Sequence, residues 1–378
     1  MESLADRLAA AIRASGPMPF ASFMAAALYD RTDGYYTKPG RIGRGGDFYT
    51  SVSTGPVFGE LMAGQFREVW QQLGKPPDFA IVERGANDGI FAADVLSWSR
   101  LHDPAFHESL TYWIDEPMPA LAVRQSETLA DFPGRWRHGA PQGATGVFFA
   151  NELLDAVPFR RVVHRGSTWL ERCVGLSPDG QFTWTDAPLL DRTSRARVAQ
   201  LGDDFPEGYE TEIAPAVASE VRLAAATIAH GALFFIDYGF CAADYYDPAR
   251  RTGTFRCFRS HQTHENPFDA IGETDITAHV DFSFAATAAR AAGCHVAAFL
   301  DQARFLTGAA APSLPALDGD QSPAAASWRR QFQSLTHPGH LGRSFHVLVL
   351  TRTPGSEPWS PSLSGLRFAS PSALASLG

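Results

Sequence analysis

Apolar positions recur along the chain in two rhythms, one with a helical period and one in short continuous runs. Leu4, Leu8 and Ile12 share a helical face ahead of Gly16-Pro17, so residues 3–15 read as a surface helix. Phe20, Phe23, Met24 and Leu28 predict a second short helix over 21–28. An irregular glycine-rich stretch, 34–55, precedes a third helix striped with Phe58, Leu61, Met62, Phe66, Val69, Trp70 and Leu73. Thr54 is its expected cap, Pro56 suits its first turn and Gly74 lies past its end.

From residue 79 onward apolar runs alternate with helical patterns. Strand 79–83 leads to a helix near 89–100, strand 110–115 to a helix near 120–129, and strand 146–150 to a polar turn. A helix over 213–229 leads into strand 232–236. This alternation predicts an α/β fold with a parallel sheet covered on both faces. A meander holding Val162, Val163, Trp169 and Val174 adds antiparallel strands. A helix over 282–292 and strands 294–299 and 344–351, read as an antiparallel pair, finish the core. Residues 353–378, rich in proline and serine, read as a loosely held tail.

The 378 residues are 45% hydrophobic, enough for one large domain or two modest ones. A formal net charge of −9 argues against nonspecific nucleic-acid binding. Cys173, Cys241, Cys257 and Cys294 stand far apart with no CxxC pair, so no zinc site or disulfide framework is indicated and a reducing cytosol fits. No metal site is expected; His261-x-x-His264-Glu265 only superficially resembles ligand spacing. No apolar run reaches the roughly 18–20 residues of a membrane span. Glu2 and Asp6 do not suit a signal or transit peptide. The expected location is cytoplasmic.

Chemistry concentrates at the carboxyl ends of the predicted strands, where open parallel sheets bind ligands. Phe79-Ala-Ile-Val-Glu83 is a buried strand ending in an acid, and Gly85-x-Asn87-x-Gly89 follows it. A dinucleotide fingerprint needs a third glycine three residues after the second. The spacing here is instead that of S-adenosylmethionine (SAM) loops, with Asn in the middle place, and Asn tolerates positive φ. No GK[ST] follows, which excludes a P-loop. A plain strand-to-helix turn is the simpler alternative.

The second strand ends at Asp115-Glu116, placed to accept bonds from ribose hydroxyls, as many ordinary surface acids also are. The third runs into Asn151-Glu152-Leu153-Leu154-Asp155. On a helical turn Glu152 and Asp155 would share a face and could grip a cation, a guanidinium above all. Two acids capping a helix N-terminus would read the same way. Asp237-Tyr238-Gly239 closes another strand, either as cleft wall or as turn. His279 and Asp281 read as structural, capping the helix that follows.

Segments from end to end then match one family. They include Gly34-Tyr35-Tyr36, Gly46-Asp47-Phe48-Tyr49-Thr50-Ser51, Phe58-Gly59-Glu60, Glu83-x-Gly85-x-x-x-Gly89 with Asp94, and Glu116-x-x-Pro119. Asn151-Glu152-Leu153-Leu154-Asp155-Ala156, Ile236-Asp237-Tyr238-Gly239, His261 and Gly272-x-x-Asp275-Ile276-Thr277-x-His279-Val280-Asp281-Phe282 follow in order. Over roughly residues 18–352 the chain resembles the MidA-like (DUF185) class I methyltransferases, a family related to the mitochondrial complex I assembly-factor arginine methyltransferase. It departs from the family pattern at Gly85-Ala86-Asn87, in place of Gly-Pro-Gly, and at Val52-Ser53, in place of Pro-Glu.

The resemblance implies a Rossmann-like, mostly parallel sheet with a terminal antiparallel strand. An N-terminal helical, cleft-covering segment (1–56) would precede a core (57–352) with insertions near 159–212 and 240–340. It implies SAM as cofactor, held by Glu83, Gly85, Asn87, Gly89, Glu116 and Asn151. Catalysis would fall to Glu152, Asp155 and Asn151, and substrate binding to Asp47, Tyr49, Thr50, Asp237, Tyr238 and His261. The expected activity is SAM-dependent N-methylation of a protein side chain such as arginine. A SAM-binding noncatalytic assembly factor and a small-molecule methyltransferase remain alternatives, and the sheet pattern alone would also suit a nicotinamide-dependent oxidoreductase.

Overall fold

The computed structural model describes residues 2–38, 50–116, 118–259, 262–339, 341–355 and 357–378. Its centre is an eight-stranded sheet. Across it run His295–Asp301, Phe345–Arg352, Ile228–Phe240, Ala144–Asn151, Phe79–Arg84, Leu110–Asp115 and Trp136–His138, with Val280–Asp281 beside Ile228–Phe240. Neighbours from Ile228–Phe240 to Trp136–His138 are parallel. Phe345–Arg352 is antiparallel to both of its neighbours. This is the mostly parallel, Rossmann-like α/β sheet with a late antiparallel strand that the sequence predicts.

The sheet's two faces bury separate apolar layers. Helices Val57–Gln72 and Ile90–His102 cover one face. Phe91 stacks on Phe149 there with ring centroids 4.3 Å apart, beneath Phe58 and Phe66. Helices Pro215–Thr227 and Phe282–Ala291 cover the other. Full burial of one such phenylalanine is worth about 1.5–3 kcal/mol, so these rings fix the two helices ahead of the site. Gly59 sets their spacing, because a Cβ there would lie 2.5 Å from the Asp94 Cβ.

Among the described residues, two smaller sheets lie outside the central one. Met18–Pro19, Thr168–Leu176, Arg160–Arg165, Glu210–Ile213 and Phe182–Pro188 make an antiparallel five-stranded sheet. Arg256–Arg259 pairs with Gln262–His264 and Asp275–Thr277. Helices Leu4–Ser15 and Phe20–Tyr29 bury Leu4, Leu8, Ile12, Phe20, Phe23 and Leu28 in a cluster with Phe159, Val174, Phe255 and Ile276. The two N-terminal helices thereby pack against Phe159 and Val174 on one side of the sequence and Phe255 and Ile276 on the other.

Three local expectations are corrected. Thr54 does not cap the third helix; it sits in the turn Val52–Thr54, and its hydroxyl donates to the Ser51 carbonyl. The C-terminal stretch is not loose. Ser364 donates to Glu68, Gly365 to Gln65, and Leu363 and Leu377 are buried. Its proline and serine content hides these anchors from a composition-based reading. The third correction concerns Glu152–Asp155 and belongs to the site.

Candidate active site

The strand order reverses at Phe79–Arg84, whose chain goes on to Leu110–Asp115 on one side while Ala144–Asn151 lies on the other. A crevice opens at the carboxyl ends of such strands. There the structure holds a cavity of about 600 Å³, within the range of small-molecule sites. Glu83, Gly85, Ala86, Asn87, Asp88, Ile90 and Phe91 line one part of it. Asn151, Glu152, Asp155, Tyr238, Thr50, Tyr36, Asp275 and Thr277 line another. Gly55, Pro56, Ser327 and Gln331 also face it.

The glycine turn is built from left-handed residues. Gly85 has φ 73°, Asn87 φ 48° and Gly89 φ 82°, and only glycine and, less readily, Asn or Asp enter this region at low cost. A Cβ at Gly85 would also meet the Leu153 Cδ1 at 3.0 Å. The Asn87 N–H donates to Glu116 Oε2 at 3.0 Å, and its carbonyl accepts from Gln125 Nε2 at 2.7 Å. Glu83 is buried; it accepts from the Tyr112 hydroxyl at 2.7 Å, and burial pushes its carboxyl up to about 8.

Glu116 stands behind this turn rather than on the cavity wall. Its oxygens accept from the N–H groups of Asn87 and Met118, at 3.0 and 2.9 Å, and burial raises it to about 7. Its visible work is to hold the turn.

Glu152 and Asp155 are not on a helical turn, and no helix begins there for them to cap. The chain bends sharply after Asn151, with Glu152 itself left-handed at φ 52°. That bend, not helical spacing, brings both carboxylates to the cavity. Glu152 Oε1 accepts from the Ser51 N–H at 3.1 Å and from Asn151 Nδ2 at 2.9 Å. Burial raises Glu152 to about 7 against these two bonds. Asp155 is raised to about 7 by burial first and the Glu152 charge second. Asn151 Oδ1 is buried with no hydrogen-bond partner.

Asp237 is corrected from substrate binder to anchor. It is 1% exposed, and its Oδ2 accepts from the N–H groups of Leu153, Leu154 and Asp155 at 3.1, 2.7 and 3.3 Å. Oδ1 accepts from Tyr238 N–H. Tyr238 and Thr50 do line the cavity. His279 stacks on Phe240, and Asp281 caps the helix after it by accepting from Phe284 N–H at 3.0 Å. Asp47, Tyr49 and His261 lie outside the described residues. Among the described residues no group of three or more His, Cys, Asp and Glu is placed to hold a metal ion, and no helix is long and apolar enough to cross a membrane.

Residues 61–300 match the family described as putative S-adenosyl-L-methionine-dependent methyltransferase. The chain belongs to that family. Its fold is similar to a crystal structure of a COG1565 superfamily member from Burkholderia thailandensis bound to S-adenosyl-homocysteine. The TM-score is 0.86, with 33% identity over 97% of this chain and 95% of that one. It is 28% identical to the mitochondrial protein arginine methyltransferase NDUFAF7 of Danio rerio, over 75% of this chain and 71% of the relative. It is also 28% identical to the Drosophila melanogaster homolog, over 92% and 84%. The protein is a SAM-dependent methyltransferase.

The cavity suits that cofactor. A left-handed turn leaves room for close approach, and the unpartnered Asn151 Oδ1 awaits a donor. The expected cytoplasmic location is withdrawn, because these curated relatives are named mitochondrial. All four cysteines are free and buried, but cysteine usage does not separate one reducing compartment from another.

Sequence reasoning missed Tyr36, Asp275, Thr277, Ser327 and Gln331. Tyr36, Asp275 and Thr277 stand inside segments that match the family, and that was the available signal. Ser327 and Gln331 sit on helix Pro323–Thr336, where a polar residue facing a cavity reads like one facing water.

Proposed function

We propose that this methyltransferase N-methylates the guanidinium of an arginine side chain in a protein. The observation that carries this is the presence of Glu152 and Asp155 on the same cavity as the glycine turn. The names of the curated relatives, protein arginine methyltransferases, agree with it. SAM, when bound, supplies a methyl group on a positively charged sulfur. Glu83, Gly85, Asn87, Gly89 and Asn151 are the residues assigned to hold it, with Glu116 bracing the turn. Tyr36, Thr50, Asp275 and Thr277, which line the same cavity, would close the acceptor side.

The chain's own part is orientation and proton handling. A carbon–nitrogen bond forms as the carbon–sulfur bond breaks, and the guanidinium gives up one proton. Guanidinium stays protonated, with a pKa above about 12. A carboxylate beside it must therefore take the proton as the new bond forms. Glu152 and Asp155, both raised to about 7, ionise when a cation arrives and can then accept that proton. A forked guanidinium presents donors to both. Fixing it in line is worth roughly 7–11 kcal/mol in well-aligned cases.

The test is to incubate the protein with deuteromethyl-labelled SAM and a protein extract, then map the label by mass spectrometry. Label on arginine nitrogen is the expected result. Label confined to lysine, to other side chains or to small molecules would replace this reading.

A further inference from the structure

We propose that Gln331, assisted by Ser327, binds the carboxylate at the amino-acid end of the cofactor. The inference rests on the cofactor alone and holds whichever acceptor is methylated. That end carries an ammonium and a carboxylate on one carbon, so its site must offer an acceptor and donors side by side.

Charge divides the cavity. Glu83, Asp88, Glu152, Asp155 and Asp275 line it, and among the described residues on its wall there is no Lys, Arg or His. A carboxylate entering it meets no cationic side chain there and must be held by N–H and O–H donors. Gly55, Pro56, Ser327 and Gln331 supply an uncharged part of the wall, at the start of helix Val57–Gln72.

Their contacts make it one patch. Gln331 Oε1 accepts from Val57 N–H at 3.3 Å, and Gln331 Nε2 donates to Ser327 Oγ at 3.2 Å. Gly55, at φ 132°, admits the amide, because a Cβ there would lie 2.3 Å from Gln331 Oε1. The Val57 N–H settles which end of the amide is oxygen, so the nitrogen is the end beside Ser327. Nε2 keeps a second N–H and Ser327 its hydroxyl proton, neither with a partner among the described residues. Pro56 offers the helix no side-chain cap, and the positive potential of the helix start favours an anion beside these two donors.

An acceptor for the ammonium is close by. Asn151 Oδ1 is buried without a partner. Asn151 Nδ2 and the Ser51 N–H share Glu152 Oε1, at 2.9 and 3.1 Å. From Ser51 the turn Val52–Thr54 leads to Gly55, and at about 2 Å per residue it spans about 8 Å. Two hydrogen bonds of about 2.9 Å with an amino-acid end group between them cover such a distance.

The experiment is calorimetry on the full chain at about pH 8, where an introduced carboxyl is ionised. Its three probes are S-adenosyl-homocysteine, methylthioadenosine, which lacks the amino-acid end, and decarboxylated SAM, which keeps only the ammonium. Gln331→Glu preserves the shape and the oxygen for Val57 but sets a carboxylate against that of the ligand. It should weaken S-adenosyl-homocysteine by roughly 10- to 100-fold, leave methylthioadenosine unchanged and cause no loss for decarboxylated SAM. Ser327→Ala should show the same ligand pattern with a smaller loss. Unchanged S-adenosyl-homocysteine affinity in Gln331→Glu overturns the proposal. So does an equal loss for all three probes, which marks a merely structural effect. If Gln331→Glu does not fold, Ser327→Ala decides, and a loss that is absent or shared by methylthioadenosine overturns the proposal equally.

Discussion

The Ser51 N–H donates to Glu152 Oε1 at 3.1 Å, joining residues 101 positions apart. The bond ties the segment ahead of the third helix to the bend at the end of strand Ala144–Asn151. It helps hold Glu152 in a left-handed conformation that costs about 1–3 kcal/mol for a residue with a side chain. A non-glycine residue held there, with its carboxylate on the cavity, marks Glu152 as the first position to test.

Glu152→Gln preserves shape and the contact with Ser51 but removes the proposed base. Its kcat should fall by roughly 10²–10⁴-fold, while SAM affinity by calorimetry stays at the wild-type value. Undiminished turnover would take Glu152 out of the chemistry.

Stability and activity should respond to pH in opposite directions. Burial holds Glu83 at about 8 and Asp94, Glu116, Glu152 and Asp155 at about 7. All lie above the ordinary carboxylate range of about 4. The folded chain therefore keeps protons that the unfolded chain has already lost, and stability falls as pH rises toward 8. His107, His279 and His346 are held below their ordinary value by burial, which opposes the trend below about pH 6.5. The ligand-free melting temperature should thus fall between about pH 6.5 and 8, less steeply in Glu152→Gln. Methyl transfer, which in the proposed mechanism uses the carboxylate form of Glu152 and Asp155, should rise over the same window. A melting temperature that climbs there would contradict the burial argument.

Asp237→Asn tests the anchor. An amide cannot accept on both sides, so either the three N–H groups of residues 153–155 or that of Tyr238 lose their partner. Each unsatisfied buried group costs about 1–3 kcal/mol. The variant should melt measurably lower and transfer methyl groups more slowly, even at temperatures where circular dichroism reports a folded chain. Full stability would show that the bend is held some other way.

Gly59→Ala tests the helix spacing beneath the cavity. The added methyl meets the Asp94 Cβ within 2.5 Å, so helices Val57–Gln72 and Ile90–His102 must part. Overpacking of this kind costs about 1–3 kcal/mol, readable as a lower denaturant midpoint at unchanged slope.

The central strands were legible because a strand buried on both faces, such as Phe79–Arg84, writes a continuous apolar run. The Gly85–Gly89 turn was legible because left-handed backbone demands glycine or asparagine. Glu152 and Asp155 were found for a reason that does not hold: their spacing suggests a helical face, whereas a strained bend aims them. Asp237 was misjudged because a carboxylate at a strand end serves ligand and backbone equally well. The orphan bonding groups of residues 153–155, which decide the matter, leave no mark on the sequence. Tyr36 and Asp275 stand 239 positions apart, and no local pattern could bring them together.

The most direct measurement is a crystal structure of the complex with S-adenosyl-homocysteine and an arginine-containing peptide. The homocysteine and ribose should lie along Gly85–Gly89, with the guanidinium within hydrogen-bond distance of Glu152 and Asp155. A guanidinium seated elsewhere, or these carboxylates turned toward the protein interior while the peptide is bound, would contradict the proposed chemistry.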